Sequence, residues 1–260
     1  MNEKNICTAC GTKFPKEIML PEFCPICEDD RQYVPDGVQT WTSSAELAKN
    51  YRVEIREINE NLYELKIVPS FAIGQRALLV LAPEGNILWD CIPLLDKTAI
   101  ELIKSKGGLK AIVFSHPHFY SNMNDWANEF DCPIYIHEAD EQWIFDKTEQ
   151  IKLWSGLEKN LWNGIKIHNI GGHFAGSSIL QLSSTKTILC GDTFVVSPSK
   201  KHLAAMHSYP NKIPLPISEV ERIKERIKPI EFEILHAWHD TQSLESDGKK
   251  ILENSLARYL

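Results

Sequence analysis

The sequence predicts an α/β (α+β) protein containing a β-sandwich, preceded by a small metal-stapled segment. Three observations predict it. Residues 51–90 read as two hairpins in succession, residues 97–259 alternate between helical and strand-like patterns, and four cysteines fall in two close pairs before residue 28. With 260 residues, 43% of them apolar and 24% charged, the chain has the composition of a globular protein with a sizeable core.

Residues 1–40 stand apart. Cys7 and Cys10, then Cys24 and Cys27, form two C-x2-C pairs separated by thirteen residues. Each pair presents two sulfurs around one tight turn, and four thiolates satisfy a tetrahedral Zn²⁺. So short a segment cannot fold on apolar burial alone, so a closed, structural zinc is expected there. The polar run 28–37, ending in Pro35, Asp36 and Gly37, reads as a linker or turn, and the main domain is expected over 41–260. Ser44 is the expected N-cap of a short helix.

The alternating runs 53–58 and 62–67 flank a turn at Asn59-Glu60-Asn61, and the runs 77–82 and 86–90 flank Pro83-Glu84-Gly85. Four antiparallel strands in a row suggest half of a sandwich. Helices are expected over 97–106, closed by Gly107-Gly108, and over 122–130, 217–227 and 244–259. Strands are expected over 110–114, 133–137, 165–170, 179–182, 187–190 and 231–235.

A net charge of -7 argues against a general nucleic-acid or anionic-membrane binder. No apolar run is long enough to span a bilayer, and Met1 to Asn5 lack the layout of a signal peptide. A cytoplasmic protein acting on a small-molecule substrate is expected. Seven cysteines in a reducing compartment argue against a disulfide framework, leaving Cys91, Cys132 and Cys190 as small core residues.

The functional candidates sit just past strand ends. His116 and His118 follow the apolar run 110–114 and can reach one ion from a strand-end loop. His173 lies in the glycine-rich stretch 171–177, Asp192 follows the strand 187–190, and His236 and His239 follow the last strand. Nitrogen and carboxylate ligands on strand-end loops of one sheet edge commonly assemble a catalytic metal site. His137 and His168 are expected to be structural. The segment 197–216, with His202 and His207, is long enough to cover the site.

In this order the residues resemble the metallo-β-lactamase superfamily. Asp90 after a hairpin matches its first motif, His116 and His118 the start of HxHxDH, residues 172–177 its GHTPGS loop, and Gly191-Asp192-Thr193 its GD element. The resemblance covers residues from about 50 to 260 and implies an αββα sandwich with the metal at the edge between two mixed sheets. It departs where the family has Asp-His: this chain has Tyr120-Ser121, so the second metal of the family loses its ligands. A mononuclear site is therefore expected, with one Zn²⁺ held by His116, His118 and His173, and Asp192 beside or on it. The resemblance implies a hydrolase acting on an ester, thioester or lactone-type bond; the alternatives are an Fe(II) oxygenase of thiols using His116, His173 and Asp192, or a decayed member acting as a binding protein. Asp90 is expected to hydrogen-bond a ligand imidazole, Tyr120 to face a developing oxyanion, and His239 or His236 to replace the late family histidine. The two metal sites are expected to be independent.

Overall fold

The computed structural model describes residues 3–259. Two sheets pack face to face, with helices outside each. The first sheet has seven strands in sequence order: β1 (Arg52–Asn59), β2 (Leu62–Val68), β3 (Arg76–Val80), β4 (Ile87–Trp89), β5 (Ala111–Val113), β6 (Ile134–His137) and β7 (Ile151–Trp154). The hairpin turns make β1–β4 antiparallel, and the crossover segments make β4–β7 parallel.

The second sheet orders β8 (Glu158–Asn160), β9 (Ile165–Asn169), β10 (Ser178–Leu182), β11 (Thr187–Leu189), β12 (Ile234–His236) and β13 (Ser243–Leu244). Its β11–β12 pair is parallel and the other pairs antiparallel.

Period-two alternation decides which layer each side chain joins. In β3, Leu78 and Val80 face the second sheet, where they meet Leu180 and Leu189. Ala77 and Leu79 face the outer layer of α2 (Lys97–Ser105) and α3 (Met123–Phe130), against Ile103 and Trp126. In the second sheet Ile179 and Ile188 face α4 (Ile217–Ile227) and α5 (Gly248–Leu256). The buried Val220, Ile223 and Ile227 give α4 its apolar stripe at helical spacing. The order of layers is helix, sheet, sheet, helix.

Near the N-terminus, α1 (Ser44–Asn50) is capped by Ser43, whose hydroxyl accepts from the Glu46 amide, one residue before the expected cap. Ile6–Cys7 pairs with Trp41–Thr42, so the expected boundary at residue 40 falls inside a strand pairing. The run 28–37 is not a free linker. It packs on the main domain through Asp30, Arg31 and Gln32. Cys91, Cys132 and Cys190 are buried with free thiols. Among the described residues no helix is long and apolar enough to cross a membrane.

Candidate metal centre

Parallel pairing aligns the ends of β4 and β5, and the loops that follow carry Asp90 and Ser115-His116 to one edge of the first sheet. Asp90 turns there in a left-handed conformation, and its Oδ1 accepts from the Ser115 amide at 2.8 Å. A 3-10 turn over Pro117–Phe119 then brings His118 round. From the second sheet, the loop joining β9 to β10 supplies His173. It is held closed by Ser177, whose carbonyl accepts from the amides of Ile170 and Gly171, and whose hydroxyl accepts from that of Phe174. Asp192 follows β11. Gly191 before it has φ +54°, and a Cβ there would run into the Ser115 side chain, so only glycine lets the two sheet edges meet.

His116, His118, His173 and Asp192 each offer one ligand atom, all within 4.8 Å of one another. His116 Nε2 lies 2.9 Å from Asp192 Oδ1, His173 Nε2 3.7 Å from the same oxygen, and His118 Nδ1 4.0 Å from Oδ2. The imidazoles are 1–2% exposed, while the Asp192 side chain is 12% exposed and forms the open side of the cluster.

The hydrogen bonds around the cluster assign its protons. The Ser115 hydroxyl donates to Asp90, 2.9 and 3.0 Å from its oxygens, so at His116 Nδ1, 2.8 Å away, it accepts. His116 therefore carries a proton on Nδ1 and turns Nε2 toward Asp192. His173 Nδ1 faces the His207 carbonyl at 2.8 Å, which leaves a lone pair on its Nε2. His116 Nε2 and Asp192 Oδ1 thus face each other 2.9 Å apart, both buried and neither bonded to any other group. A proton or a metal cation between them satisfies both. Burial lowers His173 to about 3 and also lowers His118, keeping both neutral. Burial pushes Asp192 up, but His116 and His173 beside it outweigh that and hold it well below the usual carboxylate range. For His118, His173 and Asp192, neutral imidazoles with an ionised carboxylate are the protonation states that metal binding requires.

The second cluster is the four cysteines. Their sulfurs are buried, with Cys7 3.8 Å from Cys27 and Cys10 3.7 Å from Cys24, and Gln39 Nε2 donates to Cys7 at 3.2 Å.

No model of a known protein family matches the chain. Its sequence is 38% identical over 262 residues to YmaE of Bacillus subtilis (strain 168), covering 98% of this chain and 95% of that one. The chain belongs to the YmaE family. Its fold is that of the metallo-β-lactamases. DIM-1 metallo-β-lactamase superposes with a TM-score of 0.62 at 16% identity, over 81% of this chain and all of that one. FIM-1 of Pseudomonas aeruginosa, in its mono-zinc form, superposes with 0.58 at 13%, over 79% and 95%.

The remaining candidates fall elsewhere. Tyr120 is buried in the helix-side core, its ring 5.0 Å from that of Phe114, and it does not face the ligands as expected of an oxyanion partner. Ser121 turns away as well, accepting from Gln75. His239 does not join the cluster: its Nδ1 lies 2.9 Å from Asp240 and 3.0 Å from Thr241 on a surface turn. His236 is buried but engages Ser243, which Arg76 also binds. Asp90 meets no imidazole directly, since the hydroxyl of Ser115 stands between it and His116. Burial raises Asp90 to about 7, against the opposing pull of His116 and Ser115.

Ser115 is the residue that sequence reasoning missed, although it immediately precedes the first histidine. His137 and His168 bond to Gly156 and Gln181, respectively. The segment 197–216 reaches the site through the His207 carbonyl and Tyr209, whose ring lies 5.7 Å from that of His173.

Proposed function

We propose that the protein is a metal-dependent hydrolase in which one zinc ion, held by His116, His118, His173 and Asp192, activates water to attack an ester, thioester or lactone-type bond. The convergence of three buried imidazoles and one carboxylate, with ligand atoms all within 4.8 Å of one another, carries this reading. A Zn²⁺ in that place supplies Lewis acidity and brings the pKa of a coordinated water down toward about 7.

The chain's own groups do the rest. Asp90, through Ser115, fixes the His116 tautomer, and the His207 carbonyl fixes that of His173. Asp192, ionised and with the most exposed side chain of the four, supplies the negative charge of the ligand set. Phe174 lies 4.9–5.6 Å from the three imidazoles and excludes water from that side. Tyr120 and Ser121 stand where the family carries further ligands and face away, which favours one metal over two. The mono-zinc form of FIM-1 supplies a precedent for one ion on this fold. A second zinc is proposed for Cys7, Cys10, Cys24 and Cys27, where four buried sulfurs and no catalytic opening suit a structural ion.

The test is turnover of a panel of model esters, thioesters and lactones by the zinc-loaded chain and by His116→Ala. Loss of turnover in the variant is expected, and equal turnover by both would refute the assignment. One equivalent of iron in place of the site zinc would move the reading to the oxygenase chemistry considered above.

A further inference from the structure

The segment 29–32, which follows the second cysteine pair, is bound to the His173 loop and to the hairpin of Met206–Ser208 and Ile213–Pro214 behind it. Arg31 Nε donates to the His173 carbonyl at 2.6 Å. Its Nη1 is paired with Asp29 at 2.7 and 2.9 Å, and its guanidinium lies 4.5 Å over the Phe174 ring. Asp30 meets His207 Nε2 at 2.6 Å, Ser208 donates to the Arg31 carbonyl, and Asn211 donates to the carbonyls of Asp30 and Gln32. The carbonyl of that same His207 holds the His173 imidazole. His173 is thus gripped twice by one stretch of chain, at its own backbone and through the hairpin behind its ring.

We propose that Arg31 is a positioning residue for His173, and that the cysteine ribbon and the His/Asp centre are one mechanically coupled unit. The inference rests on the reading that the His/Asp cluster holds a metal. Three residues separate Cys27 from Arg31; the amides of Cys27 and Glu28 close the Cys24–Cys27 turn on the Cys24 carbonyl, and the Arg31 amide donates to Asp29 Oδ1 at 3.0 Å. A change in the Cys24–Cys27 turn therefore propagates to Arg31 with little slack. The guanidinium suits the task because its planar fork serves Asp29 and the His173 carbonyl together while its face covers Phe174. Lysine, with one ammonium, cannot do all three. This replaces the expectation of two independent sites.

The test uses the full chain with its ribbon zinc in place, and Co²⁺ alone as the probe. Titration is followed by the visible ligand-field absorption of the His/Asp centre, and Met19→Ser, at a position 93% exposed on the ribbon, serves as control. Arg31→Met is expected to weaken cobalt binding by about 10- to 100-fold and to alter the band shape, the usual cost of losing a group that orients a ligand. Arg31→Lys is expected to recover affinity only in part, and it decides the question should the Met variant fail to fold. Cys24→Ser is expected to weaken the His/Asp centre as well as emptying the ribbon.

Tight, unaltered cobalt binding in the Arg31 variants would overturn the inference while leaving the metal reading intact. A wild-type chain that binds no cobalt at the His/Asp centre would overturn both.

Discussion

Replacing Asp90 with Asn separates two roles that the structure assigns to one buried carboxylate. The substitution keeps the shape and an oxygen that can accept from the Ser115 amide, and it removes the charge. In the metal-free native chain burial raises Asp90 from an ordinary 3.8 to about 7. Between those values the native state holds a proton that the unfolded chain has released. Stability therefore falls as pH rises through that window, and the loss is complete above about pH 7. At 1.36 kcal/mol per pH unit the effect amounts to roughly 4 kcal/mol. Asp140, raised to about 6 by burial, adds a smaller effect of the same sign, while His173 and His236, lowered by burial to about 3, act in the opposite sense, so the Asp90 contribution is read as the difference between the native chain and its variant.

Urea unfolding of metal-free protein at pH 4, 5.5 and 8 measures the effect. Measured against the native chain, Asp90→Asn should gain stability steadily from pH 4 to pH 8 and be the more stable chain at pH 8. It should also bind zinc about 10-fold more weakly, because no carboxylate then polarises the Ser115 hydroxyl that orients His116. Parallel pH profiles for the two chains, with equal zinc affinity, would refute the relay.

Other consequences follow from neighbouring contacts. Ser115→Ala should leave His116 Nδ1 without its acceptor and lower zinc affinity about 10- to 100-fold, read by calorimetric titration. Tyr120→Asp should destabilise the fold by several kcal/mol and bind no second metal, since residue 120 packs on Phe114 in an apolar core; thermal melts and metal counts check both. Arg76→Met should cost about 3 kcal/mol in urea unfolding, because the buried Glu64 carboxylate that lies 2.6 Å from Nη1 is then left with the half-exposed Arg56 at 3.2 Å as its ion-pair partner.

Much of this was legible in the sequence, for identifiable reasons. Residues 51–90 alternate with period two between compact turns, so the hairpins announce themselves, and α4 shows its buried face at Val220, Ile223 and Ile227. His116, His118, His173 and Asp192 could be picked out because each follows an apolar strand, and strand ends sharing a sheet edge converge.

What was not legible depends on contacts remote in the chain. Arg31 and His173 are 142 residues apart, and no local pattern distinguishes a polar linker from one whose arginine seats on an aromatic ring. Tyr120 was assigned by its place in a motif, but the left-handed turn at Ser121 and the pull of the Phe114 core decide where that region points. His239 follows a strand end like the true cluster members, yet its ring is held by Asp240 and Thr241 on the turn.

The most direct measurement is anomalous diffraction at the zinc absorption edge from crystals of the full chain grown with zinc. A peak within coordination distance of His116 Nε2, His118 Nδ1, His173 Nε2 and Asp192 is predicted, together with a second among the four cysteine sulfurs. A cysteine peak alone, with His116 and Asp192 bridged by ordinary water in excess zinc, would contradict the metal centre on which the proposed hydrolysis depends.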